Sequence, residues 1–149
     1  MKGVEWLKNY IREKNINAKI IEVRRASTVN EAAEEVGCSK RQIIKSIVLV
    51  AEDEAVVAIV DGTSSVDLKR VEKLLGKSVR IAGREEVLHL TDFPAGGVPP
   101  IGHDCKVFVD ERVLKNERVY GGGGDEKHLI LIPPSEIVGD GAIVAKIRK

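Results

Sequence analysis

Lys45 lies inside the run IIKSIVLV, with aliphatic residues on both sides. A lysine on such a strand either snorkels to water or holds its ammonium in a hollow, because an unpartnered buried charge is strongly unfavourable. On a solvent face it marks a strand end; in a cavity it offers a fixed positive charge to a phosphate or carbonyl oxygen. Glycine is the second feature. Seven of the fourteen glycines fall between residues 96 and 124, as Gly96, Gly97, Gly102 and Gly121 to Gly124. Glycine loses more chain entropy on folding than any other residue and buries no side chain. Such a concentration serves tight turns, or the close approach of a ligand to bare main chain whose N–H groups form an anion-binding nest.

The stretch AGGVPPIGHD, residues 95–104, adds Pro99 and Pro100 to Gly96, Gly97, Val98 and Gly102, with Pro94 just before it. Proline fixes φ and removes a donor. A stiff loop can hold its remaining N–H groups in place for a developing oxyanion, although stiffness serves plain stability equally well. His103 follows this loop and His128 follows the tetraglycine. Either is a general base, a donor to substrate or a structural histidine. No G-x-S-x-G elbow, phosphate-binding lysine loop or dinucleotide fingerprint is present, and His103 with Cys105 is too sparse to hold a metal. Neither metal nor cofactor is expected. A hydrolase built from these parts must rely on positioning, electrostatics and a bound water.

The elements that carry these residues follow from patterning. Val4, Leu7, Tyr10 and Ile11 predict an amphipathic helix over Gly3–Lys14, and AKIIEV a strand over Ala18–Val23. Thr28 and Glu31 have capping-box spacing for a helix that runs to Val36 and stops at Gly37. Ser39 caps a short turn, KRQI. Ile43–Ala51 and Ala55–Asp61 read as a buried hairpin. Ser65 or Asp67 caps the next helix, which ends at Gly76; VRIA is a short strand and REEVLHL a short helix. Lys106–Asp110, the two arms of VYGGGGDEKHLILIP and Ala142–Ile147 supply the remaining strands. Regular βαβ alternation is lacking, so the expected class is α+β with a mixed, largely antiparallel sheet.

Length and composition suit one domain spanning residues 1–149, with 43% hydrophobic and 32% charged residues. Aromatics make up 3%, so the core must rest on Val, Ile, Leu and Ala. The first 50 residues carry ten Lys and Arg against six Asp and Glu, the remainder fourteen against seventeen. That asymmetry permits a basic face or reflects an unevenly charged solvated surface. The amphipathic, charged N-terminus resembles no secretory signal, and no run approaches the ~20 apolar residues of a membrane span. Two isolated cysteines suit a reduced, cytoplasmic protein with no membrane partner.

Three segments together resemble the YbaK-like aminoacyl-tRNA deacylases, which include the editing domain inserted in bacterial prolyl-tRNA synthetases. ASTVNEAAEEVGCSKRQIIKSIVLV is similar to the family's T-x-x-E-A-A helix, turn and K-[ST]-hydrophobic strand. LTDFPAGGVPPIGH matches its G-x-x-x-P loop as Gly96 through Pro100, and GGGGDEKHLILIPPSEIV its glycine-bearing hairpin. The resemblance covers about residues 20–140. It implies a compact α+β domain with a partly barrel-like sheet flanked by helices, and hydrolysis of the ester joining a wrong amino acid to the terminal adenosine of a tRNA; the expected substrate is a small residue such as alanine or cysteine, on tRNA(Pro) or another tRNA. Lys45 would lie by the terminal nucleotide or scissile ester, and Gly96–Pro100 would hold the aminoacyl group. Gly102, His103 and His128 would assist in binding it. Gly122, Gly123 and Gly124 would form the opposite wall, where some relatives carry serine or alanine. Lys40 and Arg41 would meet acceptor-stem phosphates. The attacking water would be helped by a ribose hydroxyl of the substrate. The implied partners are mischarged tRNA and an aminoacyl-tRNA synthetase. Asp92 stands where relatives often carry glycine. The competing readings are a non-catalytic module for nucleotides or tRNA ends, and a subunit whose glycine loops shape a protein interface.

Overall fold

The computed structural model describes residues 1–149. In chain order its elements are α1 (Val4–Glu13), β1 (Lys19–Glu22), α2 (Val29–Val36), β2 (Ile44–Ala51), β3 (Glu54–Asp61), α3 (Leu68–Leu75), β4 (Arg80–Ile81), α4 (Arg84–Thr91), β5 (Lys106–Asp110), β6 (Val119–Gly122), β7 (His128–Ile132), α5 (Pro134–Gly139) and β8 (Ile143–Ala145), with 3-10 turns at Lys40–Gln42 and Glu111–Lys115. No helix is long and apolar enough to cross a membrane. The class is α+β, as the patterning indicates. A five-stranded sheet has the order β4-β2-β3-β5-β8 and a three-stranded sheet the order β1-β7-β6. Pairing is antiparallel except at β3 with β5 and β5 with β8. The sheets remain open. Where a partly barrel-like sheet is expected, a single backbone bridge from Ile43 to Tyr120 joins the two ladders, and no barrel closes.

Local chemistry explains the elements around the site. The Thr28 hydroxyl accepts the Glu31 N–H at 3.1 Å, and Gly37 ends α2 in the left-handed region at φ 68°. Asp67, rather than Ser65, caps α3. Asp92 closes α4 at φ 67°, so a residue type that tolerates left-handed backbone through its short polar side chain occupies a position suited to glycine. The β2–β3 hairpin pairs Ala51 with Glu54 across its turn and Lys45 with Val60. Both of its faces are covered, which is why its sequence is nearly continuous in aliphatics. Val57 and Ile59 enter the core between the sheets with Ile44, Val119 and Ile130, while Val56, Ala58 and Val60 pack under α3 with Val71. A third cluster, Ala26, Ala32, Ile43 and Leu129, lies under α2.

Candidate functional site

The three clusters meet around a cleft of about 260 Å³. Four segments line it: Ala26–Val29 with Ala32 at the start of α2, Ile43 with Ile44–Ile47 of β2, Ala95, Gly96 and Val98 of the Gly/Pro loop, and Gly121, Gly122 and Leu129 of the β6–β7 hairpin. The cleft exists because β2 stops being shared. It pairs with β3 along its whole length, but with β4 only at Leu49 and Val50, and the bridge to Tyr120 touches only Ile43. The Val48 carbonyl accepts from the Ala82 N–H at 2.9 Å, so Val48 turns its peptide groups away from β3. Antiparallel alternation turns those of Ser46 the same way, toward the edge that the cleft opens.

Lys45 is half-buried and is the one charged residue in the lining. Its ammonium pairs with no carboxylate: the ion pairs of the molecule all lie elsewhere. The α2 N-terminus, with the positive end of its backbone dipoles, opens on the same space. The site therefore offers positive potential, two hydroxyl-bearing residues at its α2 edge (Ser27 and Thr28), and main chain. No histidine or carboxylate lines it. Glu31 sits just behind and accepts from the Ser27 hydroxyl at 2.8 Å and its N–H at 3.1 Å. The Ser46 hydroxyl is buried without a hydrogen-bond partner.

The far wall is backbone pressed on backbone. A Cβ added at Gly122 would lie 2.2 Å from the Val98 carbonyl oxygen, and one at Gly97 2.4 Å from the Asp125 N and Cα. Neither is compatible with a side chain, so glycine here is dictated by close approach. The Gly124 N–H donates to the Gly97 carbonyl at 2.9 Å and zips the loop to the hairpin.

Of the residues singled out by sequence, Lys45, Gly96, Val98 and Gly122 come together in this lining. Gly97 and Gly124 form the seam behind it, Gly123 packs against His128 and Leu129 within the hairpin, and Pro99 and Pro100 are buried beneath, with the Pro100 Cδ 3.4 Å from where a Gly121 Cβ would sit. Lys40 and Arg41 are exposed on the 3-10 turn that leads into β2. The two histidines stand apart from the cleft. His103 is 4% exposed, accepts the Cys105 N–H on Nδ1 at 3.1 Å, and borders a separate hollow with Gly102, Tyr10 and Asp140. Burial, reinforced by the Lys2 charge, lowers its pKa to about 4. His128 meets Asp125 through Nδ1 at 2.8 Å, with Glu22 3.9 Å from Nε2. Although partial burial opposes it, the His128 hydrogen bond helps to hold the Asp125 carboxyl below its usual range. Sequence reasoning did not assign Ser27, Thr28, Ser46, Gly121 or Leu129 to the site. The capping signal at Thr28 and the first glycine of the tetraglycine were the available clues.

Three comparisons bear on this arrangement. The model of a family described as the aminoacyl-tRNA editing domain matches residues 23–138. The uncharacterized protein YwhH of Bacillus subtilis (strain 168) is 32% identical over 115 residues, covering 75% of this chain and 73% of that protein. The proline--tRNA ligase of Shouchella clausii (strain KSM-K16) is 31% identical over 102 residues, which are 67% of this chain but 18% of the ligase. Among solved structures, a candidate trans-editing enzyme for prolyl tRNA synthetase superposes with a TM-score of 0.88 at 33% identity, covering 100% of this chain and 99% of that one.

Proposed function

The chain belongs to the aminoacyl-tRNA editing domain family, and from that premise we propose that it is a free-standing trans-editing deacylase. Its substrate is a mischarged aminoacyl-tRNA bearing a small residue, alanine or cysteine, on tRNA(Pro), met in the cytoplasm alongside the cognate synthetase. The observation that carries this reading is the lone cation of the cleft, Lys45, set in one lining with Gly96 and with the close-packed main chain where Gly122 meets Val98.

An aminoacyl ester is intrinsically labile, so orientation and electrostatic stabilisation account for its hydrolysis without a nucleophilic side chain. The ammonium of Lys45 binds the terminal nucleotide or the ester oxygen and stabilises negative charge there. A water aided by the substrate's ribose hydroxyl attacks the carbonyl carbon, the bond to the ribose oxygen breaks, and that oxygen takes up a proton as the free amino acid leaves. The absence of histidine and carboxylate from the lining agrees with a water activated by the substrate itself. At about 260 Å³ the cleft falls below the ~300–1,000 Å³ of drug-sized pockets, which supports a small acyl group. A wall that cannot retreat rejects an oversized side chain more strongly than a pocket rejects one lacking a methylene. Lys40 and Arg41 contact the acceptor stem from the exposed turn before β2.

The same lack of an acid or base in the cleft favours a second reading, binding of a tRNA end without turnover. Incubation with Ala-tRNA(Pro), Cys-tRNA(Pro) and other mischarged pairs, followed by ester loss, separates the two. Hydrolysis of alanyl or cysteinyl esters is expected, with Lys45→Met lowering kcat/KM by about a hundredfold and leaving the fold intact by circular dichroism. Stable ester on every pair at micromolar protein rules out the deacylase, and saturable binding of the tRNA end alone establishes the second reading.

A further inference from the structure

The wall of the cleft has a back, and one short segment covers it. Residues 2–7 touch both glycine clusters without lining the cleft. The Lys2 ammonium donates to the Gly102 carbonyl at 2.9 Å, lies 3.3 Å from the Asp104 carboxylate and sits 4.1 Å from the centre of the Trp6 ring. Its side chain is 15% exposed, so this is a partly desolvated cation rather than a surface lysine. The Lys2 N–H also donates to the Asp92 carbonyl at 2.9 Å, at the start of the Gly/Pro loop. The Trp6 ring meets Phe93 edge-on and stands 3.0 Å from where a Cβ of Gly102 would be, with Gly102 at φ 81°. Val4 lies 3.2 Å from the corresponding position at Gly124, whose φ is 108°. Loop and hairpin meet largely through backbone, at the Gly124–Gly97 hydrogen bond and the close approach of Gly122 to Val98, with few side-chain contacts between them, so a rigid body behind both helps to set how far they stand from β2. The family match begins at residue 23, which leaves this segment outside it.

We propose that Lys2 and Trp6 are positioning residues: the segment 2–7 is a strut that sets the width of the cleft, and hence the largest acyl group admitted, by clamping the Gly102 end of the loop and the Gly124 end of the hairpin together. The inference rests on the deacylase reading for its effect on selectivity, but not for the clamp itself.

Lys2→Met keeps an apolar stem and removes the ammonium; Lys2→Arg restores a cation. Amide hydrogen exchange reads the clamp without any activity. The Gly97 and Gly124 N–H groups, which donate to the Pro94 and Gly97 carbonyls, exchange about tenfold faster in Lys2→Met, while amides of β3 are unchanged and Lys2→Arg returns the wild-type rates. On the wild-type enzyme's alanyl ester and on a bulkier valyl ester of the same tRNA, the ratio of kcat/KM values falls about five- to tenfold in Lys2→Met and recovers in Lys2→Arg. Unchanged exchange at Gly97 and Gly124 overturns the strut, as does equal acceleration in β3, which would mean general destabilisation. Altered exchange with an unaltered ester ratio overturns the effect on selectivity. If the wild-type protein hydrolyses neither ester, the deacylase reading fails while the exchange result still decides the clamp.

Discussion

A methyl group at residue 122 would approach the Val98 carbonyl oxygen to 2.2 Å, well inside contact distance, and the obstacle is main chain that has no rotamer to change. Gly122→Ala must therefore push the hairpin off the loop. The expected cost is about 2 kcal/mol of stability, measured by chemical denaturation, with ester hydrolysis lowered more than tenfold because Gly122 is itself part of the lining. Gly139→Ala, at the end of α5 with nothing within 4 Å of the new carbon, is the control and should not destabilise. The same scale shows what the sequence does and does not reveal. Lys45 stands out because a charge among aliphatics demands a reason, but the pattern alone leaves a solvent-facing strand end open; the fold places the residue in the cleft lining. His103 and His128 sit next to the glycine clusters in sequence, but adjacency along the chain says nothing about direction. One ring turns to the Cys105 N–H and the other to Asp125, away from the lining.

Among the elements, α2 couples stability to the site most directly, since its first turn borders the cleft. Thr28→Ala leaves the Glu31 N–H without its acceptor and should cost about 1 kcal/mol, with Thr28→Ser restoring most of it in a urea titration. Fraying of that turn should also raise KM for the aminoacyl-tRNA more than it lowers kcat. Local signals made this helix legible: a hydroxyl three residues before a glutamate, and a glycine at the exit. They made the β2–β3 and β6–β7 hairpins legible too, since each is a short-range pairing of aliphatic runs. Signals weaken where the chain turns briefly. The helix Pro134–Gly139 and the 3-10 turn Glu111–Lys115 carry little periodicity, and the strand expected over Ala142–Ile147 shortens to Ile143–Ala145. The strand order is not local information at all. β3 finds β5 only because the core between the sheets needs Val57, Ile59 and Val109 on one side, a requirement no window of sequence expresses.

For the molecule as a whole, buried His103 links stability to acidity. Its folded pKa, about 4, lies below the ordinary 6.5 because burial disfavours the charged ring and the Lys2 cation adds to that, Asp104 opposing only in part. Between those values the unfolded chain binds a proton that the native state refuses, so unfolding free energy falls as pH drops from 6.5 toward 4, by about 2–3 kcal/mol from this group. His103→Asn keeps an acceptor for the Cys105 N–H and removes the titration. Urea midpoints at pH 7.5 and 4.5 should differ less in that variant than in the wild type, and equal differences would discount the histidine. The two sheets, finally, share a single backbone bridge from Ile43 to Tyr120, and side-chain packing does the rest. A guest lodged beside that joint would mortar both ladders at once, so its departure leaves a hinge line. Partial opening under heat or load should start there, tearing the pocket before the hairpin of β2 and β3 yields.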